Sequence, residues 1–297
     1  MNSRFKLQVS SFKPRAPAAC GLELAACSLQ LHARRSRALG VTLLEMIMVI
    51  VITGIIGAAI ALFIRAPVQS YVDATRRAEL TDIADTALRR ITRDLRTALP
   101  NSVRVDGTGK YIEYLQTSGG GRYRAEVDSG GLGNTLDFTF ADTLFDVIGP
   151  VPSLAAGDQV VIYNLGSGSG STDAYAGGNR TAFSSVAGST ITIAAKQFPF
   201  ASPGKRFQVV QYPVTYACEA GVLRRYWGYP ISAAQPVPPV GGNSALLATN
   251  VNTAACSFSY TTAGASQRTG VVSVTLQITQ SGESVRLFQQ AHVNNIP

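Results

Sequence analysis

Residues 41–64 read VTLLEMIMVIVITGIIGAAIALFI, and this apolar run is the strongest indication of the fold in the sequence. The segment Met46–Ile64 holds 19 residues without a charge. A helix needs about 20 apolar residues to cross a hydrocarbon core, so the run predicts one transmembrane helix. Three arginines precede it, Arg34, Arg35 and Arg37. Because positive charge stays on the cytoplasmic side, we expect the C-terminal body to face outward.

A second helical pattern follows Pro67. Apolar residues recur there at three- and four-residue steps with charges between them, which is typical of an amphipathic helix with one core-facing stripe. The stripe consists of Val68, Tyr71, Val72, Leu80, Ile83, Ala84, Ala87, Leu88, Ile91, Leu95 and Ala98. The pattern ends at Pro100. We therefore expect one helix over 41–99, kinked rather than ended at Pro67, with 41–64 in lipid and 65–99 packed on the body.

The chain changes character beyond residue 100, where short β-branched and aromatic runs alternate with Gly, Asn, Ser and Pro clusters. The predicted strands are Ser102–Val105, Tyr111–Gln116, Arg122–Val127, Thr135–Phe140, Gln159–Asn164, Thr190–Ala194, Arg206–Tyr212, Val222–Trp227, Cys256–Thr261, Gly270–Gln280 and Val285–Val293. The run Gly270–Gln280 alternates apolar and polar residues, as a half-buried antiparallel strand does. The predicted class is α+β: a long N-terminal transmembrane and amphipathic helix packed on an antiparallel β-rich globular domain, 100–297.

The net charge of +8 is unevenly distributed. Residues 1–40 carry seven of the 26 Lys and Arg and one of the 18 acidic residues, which leaves 19 bases and 17 acids for the rest. A nearly neutral body lacks the basic patch of a nucleic-acid binder, so we expect no nucleic-acid partner.

Two of the four cysteines, Cys218 and Cys256, lie in the body. An isolated pair in an exported domain is typical of one disulfide, and the alternative is two buried thiols. The expectation of a disulfide therefore depends on export.

The junction before the apolar run, residues 34–45, reads RRSRALGVTLLE. A basic stretch ends at Gly40, and a lone carboxylate, Glu45, follows five residues later. A secretory signal peptide has an apolar core of about 7–15 residues and then a small-residue cleavage site, whereas this run is longer and meets Arg65. A plain membrane anchor does not account for Glu45, because an ionisable group in a span is costly.

The stretch Gly40–Glu45 resembles the class III signal of type IV prepilins and type II secretion pseudopilins. The resemblance implies that a prepilin peptidase cuts after Gly40, removes 1–40 as a leader, and methylates the new N-terminal amine of Val41. It also implies that Glu45 neutralises the N-terminal amine of a neighbouring subunit during assembly, and that the fold is pilin-like. Val41 stands where Phe or Met is usual in this family.

Further segments resemble the O-type minor prepilins of mannose-sensitive haemagglutinin (MSHA) pili. They are Arg76–Asp82, Ala87–Arg90, Asp94–Arg96, Ala98–Arg104 and Gln289–Pro297. The resemblance implies a minor pilin that starts or caps a pilus, in contact with prepilin peptidase, the inner membrane and, through its N-terminal helix, other major and minor pilins. It implies a single-pass inner-membrane protein with a periplasmic domain, which reaches a pilus tip or the cell surface after assembly.

Two other functions remain open at this point. A minor pseudopilin of a type II secretion system shares the same motifs, and a membrane-tethered periplasmic enzyme or sugar-binding module belongs to another class. We expect no enzyme activity, cofactor or metal. The body has a single histidine, His292, so a Ser–His–Asp triad would rest on that one residue, and a His/Cys metal cluster is equally short of ligands. The segment Gly166–Ser171 lacks the spacing of a phosphate loop.

Overall fold

The computed structural model describes residues 40–262 and 268–297, so the predicted leader lies outside the described residues except for Gly40. The chain divides into two compact units, one ending at Ile60 and the other comprising Ala61–Pro297. The class is α+β: one long apolar N-terminal helix and a large antiparallel β-domain.

Helix α1 runs from Leu43 to Leu95 and continues through Pro67, so the prediction that Pro67 does not end it is confirmed. The helix ends four residues earlier than expected. Beyond it, the Leu99 N–H donates to the Leu115 carbonyl (2.8 Å) and the Thr97 carbonyl accepts from the Thr117 N–H (2.9 Å). The backbone of Thr97 and Leu99 thus forms hydrogen bonds to the sheet instead of continuing the helix as far as Pro100.

In the first unit, the side chains of the helix from Leu43 to Ile60 are exposed. This part of α1 belongs to a helix that is long and apolar enough to cross a membrane by length and composition. A single-pass membrane protein is consistent with such a helix.

In the second unit, the predicted stripe is buried from Leu80 onward, at Leu80, Ala84, Ala87, Leu88, Ile91, Leu95 and Ala98. Val68, Tyr71 and Val72 are exposed, so the expectation that they pack on the body is wrong. The Arg77 guanidinium donates to Glu283 (2.9 Å) at the tip of the last hairpin. Because the sheet ends at that tip, helix residues before Arg77 have no sheet to pack against.

Twelve strands make up the β-domain in the described residues. They are β1 (Arg104–Val105), β2 (Tyr111–Tyr123), β3 (Asp142–Ile148), β4 (Gln159–Ile162), β5 (Arg180–Ala187), β6 (Thr190–Lys196), β7 (Arg206–Glu219), β8 (Val222–Trp227), β9 (Asn243–Ala248), β10 (Ser257–Thr262), β11 (Thr269–Gln280) and β12 (Glu283–Asn294). Nine pair antiparallel in the order β1-β2-β3-β6-β5-β4-β7-β8-β9, and β10-β11-β12 form a second sheet.

β2 also pairs with β7, so the strands β2, β3, β6, β5, β4 and β7 close into a ring. One core belongs to this ring, with Tyr123, Leu136, Phe145, Val147, Val160, Ile162, Ile191, Ile193, Phe198, Phe207 and Val209. The second core joins the helix stripe to the other halves of β2 and β7, to β8 and to the three-stranded sheet. The domain therefore contains two large apolar cores that share one pair of strands. A smaller third cluster adjoins the same two strands and consists of Leu99, Leu115, Val161, Ala174, Tyr175 and Val210.

Three expectations about strands are corrected. Tyr111–Gln116 and Arg122–Val127 were expected as separate strands, but β2 runs through the glycines between them. A Cβ at Gly120 would lie 2.8 Å from the Phe207 carbonyl oxygen, so glycine permits this close approach of β7. The strands β3, β5 and β9 were not predicted.

The third correction concerns Thr135–Phe140, which is not a strand. The Asp137 carboxylate accepts from the Thr139 N–H (2.6 Å), and the Asp137 N–H donates to the Asp142 carboxylate (2.9 Å). Such side-chain bonds compete with a β-ladder for the backbone. The strand of this region is β3, which begins only at Asp142.

The substitution Ile91→Ala tests the packing of the helix. We expect it to lower the free energy of unfolding by about 2–5 kcal/mol, because it removes a fully buried side chain and leaves a cavity. Urea denaturation of the full chain in detergent, followed by fluorescence of Trp227, which packs against the same core, measures the effect. Arg89→Ala, on the exposed face, should change it by no more than about 0.5 kcal/mol. Equal losses in both variants would contradict this packing.

Candidate functional site

The start of helix α1 is built by a local cap at Thr42. The Thr42 hydroxyl accepts a hydrogen bond from the Glu45 N–H (3.3 Å), and its carbonyl accepts the first helical bond, from Met46 (3.2 Å). A threonine followed three residues later by a glutamate is a typical start signal of a helix. This local chemistry explains why the helix begins directly after Val41.

Glu45 lies in the first turn of the helix. An acidic side chain there interacts favourably with the helix dipole, which stabilises the helix on its own account. The side chain forms no ion pair among the described residues, and the next charge along the chain is Arg65. The carboxylate is therefore a lone charge at the start of a membrane-length apolar segment.

The described residues place no packing requirement on Gly40. A Cβ added there would meet none of their atoms within 4 Å. Gly40 and Val41 are both exposed, directly ahead of the helix. A preference for glycine at this position would thus have to come from another molecule that acts on the chain.

Cys218 and Cys256 form a disulfide, with Cα atoms 6.2 Å apart. Cys218 lies near the end of β7 and Cys256 just before β10, so the bond joins the two sheets. Beside it, the Cys218 N–H donates to the Lys110 carbonyl (3.0 Å), and the Lys110 ammonium donates to the Cys256 and Thr253 carbonyls. The disulfide and Lys110 together fix one sheet to the other.

A buried polar cluster lies on the outer face of the large sheet. The Glu113 carboxylate accepts from the Arg104 guanidinium (2.9 Å) and the Tyr229 hydroxyl (3.1 Å). Arg104 also donates to the Ser232 and Ala233 carbonyls. Burial raises the pKa of Glu113, and the Arg104 charge opposes that rise. The cluster attaches the loop after β8 to the sheet.

A second cluster lies at the C-terminal end of the helix. The Asp94 carboxylate accepts from the Tyr216 hydroxyl (2.6 Å) and the Arg225 guanidinium (3.0 Å). Arg225 also donates to the Gln116 side chain (3.2 Å). Burial and the bond to Asp94 raise the pKa of Tyr216, so it remains a phenol donor at neutral pH. This cluster attaches the last helical turn to β2, β7 and β8.

Neither cluster was predicted from the sequence. The available signal was a charged residue inside an apolar strand, Glu113 in β2 and Arg225 in β8. A charge in such a position requires a partner. Arg225 and its partner Asp94 lie more than 100 residues apart in the chain, so no local pattern identifies this pair.

The described residues contain no group of three His, Cys, Asp or Glu side chains that could hold a metal ion. His292 lies on β12 as an exposed strand residue. No family model matches the chain, and neither a curated protein nor a solved structure matches it.

Removing the disulfide tests its contribution to stability. The bond closes a loop with a sequence separation of 38 residues, so Cys218→Ser with Cys256→Ser should lower the free energy of unfolding by about 3–4 kcal/mol through loop entropy. Urea denaturation of the full chain measures it. Thiol labelling of the native, unreduced chain should detect neither cysteine, and two reactive thiols in the body would contradict the bond.

Proposed function

We propose that the chain is a minor type IV prepilin of an MSHA-type pilus, which is processed by prepilin peptidase and acts in initiation or at the tip of the fibre. The observation that carries the proposal is Glu45, a lone carboxylate in the first turn of a membrane-length apolar helix. In lipid, a carboxylate and an ammonium are each costly alone and compensate as a pair. The N-terminal amine of a neighbouring, cleaved subunit is the cation that this arrangement fits.

Gly40 supports the processing step of the proposal. The glycine precedes the helix in an exposed position where the fold would accept any side chain. A basic leader before it would keep the cleavage point on the cytoplasmic side and the β-domain in the periplasm. Cleavage after Gly40 would leave Val41 as the methylated N-terminus, four residues from Glu45.

The size of the β-domain supports a minor role. A major subunit repeats densely along a fibre. A domain with twelve described strands and three apolar clusters fits better at a tip or in an initiation complex. The motifs Gly40–Glu45 are shared by a minor pseudopilin of a type II secretion system, so this second function is supported by the same residues.

Mass spectrometry tests the processing step. In membranes that contain a prepilin peptidase, we expect a chain that starts at Val41 and carries an N-methyl group. The control, Gly40→Glu, should block cleavage without a change in thermal stability, because a side chain at this position meets no other atom. An intact N-terminus, or a cut beyond Ile64, would exclude the prepilin assignment.

The substitution Glu45→Gln tests the assembly step. It should be cleaved normally but should weaken cross-linking to other pilins by more than about tenfold, since loss of one member of a buried charge pair costs roughly 2–5 kcal/mol. Glu79→Gln is the matched control, because Glu79 is exposed on the same helix. Equal cross-linking of the Glu45 variant and the unmodified chain would remove the main support for the proposal.

Deletion of the protein separates the two candidate systems. Loss of surface pili with normal protein secretion is the outcome that we expect. Normal pili with loss of protein secretion would identify a pseudopilin instead, and neither defect would contradict both functions.

A further inference from the structure

Three arginines line two adjoining grooves on the second unit. The larger groove, of about 730 Å³, contains Arg206 and Arg268, and the smaller, of about 290 Å³, contains Arg122 and Arg206. Arg206 therefore connects them into one surface, which we call the arginine groove. Asp and Glu are absent from the described lining of both parts.

The three arginines of the arginine groove form no ion pair within the described part of the chain, although the backbone carboxylate of Pro297 belongs to a residue that lines the larger part. Arg122 and Arg206 stand directly opposite each other on β2 and β7, an arrangement in which like charges repel. Neither they nor Arg268 form an ion pair with any described residue. The neighbouring bases differ, because Lys205 pairs with Glu126 (3.2 Å) and Arg124 with Asp146 (3.4 Å).

The backbone around the groove is held in an uncommon conformation. Asn101 and Tyr163 line the larger part with φ of 61° and 52°, and Lys205, next to Arg206, has φ of 54°. Positive φ is rare for residues other than glycine, and such strain persists only where the surroundings enforce it. The Asn101 amide donates to the carbonyls of Asn164 (2.9 Å) and Asn295 (3.1 Å). These bonds hold Asn101 in the wall of the larger groove in the absence of a ligand.

We propose that the arginine groove binds an acidic saccharide. Arginine binds carboxylates through paired, planar hydrogen bonds, and a surface that carries three arginines suits a polymer with several carboxylates. The wall between the charges is partly apolar, with Leu165, Pro203 and Ile296, and can contact the C–H faces of sugar rings. The larger part has the volume of a typical small-ligand site.

The pairing of the strands favours a saccharide over an extended acidic peptide. A peptide commonly binds by adding a strand to an exposed sheet edge. Here Arg122 pairs with Arg206 on one side and Ile148 on the other, and the next residue of β7, Phe207, pairs with Ile162. Because both strands are paired on both sides, the groove offers side chains but no backbone edge. This inference does not depend on the proposed role of the helix.

Calorimetric titration of the full chain in detergent, with a short oligogalacturonate at low ionic strength, tests the proposal. We expect saturable binding that salt weakens. Arg206→Gln should weaken it by at least about tenfold, because it removes the arginine shared by both grooves. Arg286→Gln is the matched control, since Arg286 is exposed on β12 and lines neither groove; its affinity should stay within about twofold of the original.

Other outcomes would overturn the proposal. They are the absence of saturable binding, equal loss in the Arg206 and Arg286 variants, and equal binding of an oligosaccharide whose carboxyl groups have been reduced. Poly-glutamate that binds as tightly, with the same dependence on Arg206, would indicate an acidic peptide site. Sulfate that binds as tightly would indicate a site for simple anions. Near-ultraviolet circular dichroism should be unchanged in Arg206→Gln, because the substitution relieves the repulsion from Arg122 and fills no buried space.

Discussion

The antiparallel pairing of β2 with β7 is the constraint on which the rest of the β-domain depends. The N-terminal half of β7 contributes Phe207 and Val209 to the core of the strand ring, and its C-terminal half contributes Val214 and Tyr216 to the core under the helix. The register of the pair shifts between Gln116 and Gly119, and a bulge there adds twist where the pair passes from one core to the other. One ladder thus supports two separate apolar cores.

Polar residues of β2, β7 and β8 connect the large sheet to its surroundings on both faces. On the face toward the helix, Tyr216 and Arg225 hold Asp94, and on the opposite face Glu113 holds Arg104 and Tyr229. A buried charge is costly without a partner, so each cluster stabilises only the arrangement in which all its members meet. Both clusters act in this way as specific attachments of the helix end and of the loop after β8.

The two ends of helix α1 differ in how strongly packing contacts restrict the identity of their residues. From Leu80 onward its stripe is packed, so the identity of residues such as Ile91 is determined by the core. At Gly40 and Glu45 the described chain supplies neither a packing partner nor an ion pair. The helix dipole favours an acidic residue at Glu45, but the described chain gives its carboxylate no ion partner, and the proposed function rests on Gly40 and Glu45 for that reason.

Local patterns in the sequence determined the helix and several strands. A charge-free run, an apolar stripe with helical spacing, and alternation over Gly270–Gln280 each depend only on neighbours a few residues apart. The structure contains the two elements that they predict, helix α1 and strand β11. The pair Cys218 and Cys256 was predicted without a local pattern, because no other cysteine lies in the body and the domain was expected to be exported.

The contacts between distant segments are seen only in the tertiary structure. The glycines of β2 suggested a turn, yet the strand continues because β7 approaches its backbone closely at Gly120. Closure of the ring and the apposition of Arg122 with Arg206 both follow from this long-range pairing. Contacts between residues far apart in the chain produce no periodic pattern in the sequence, because they depend on strand order and register rather than on local spacing.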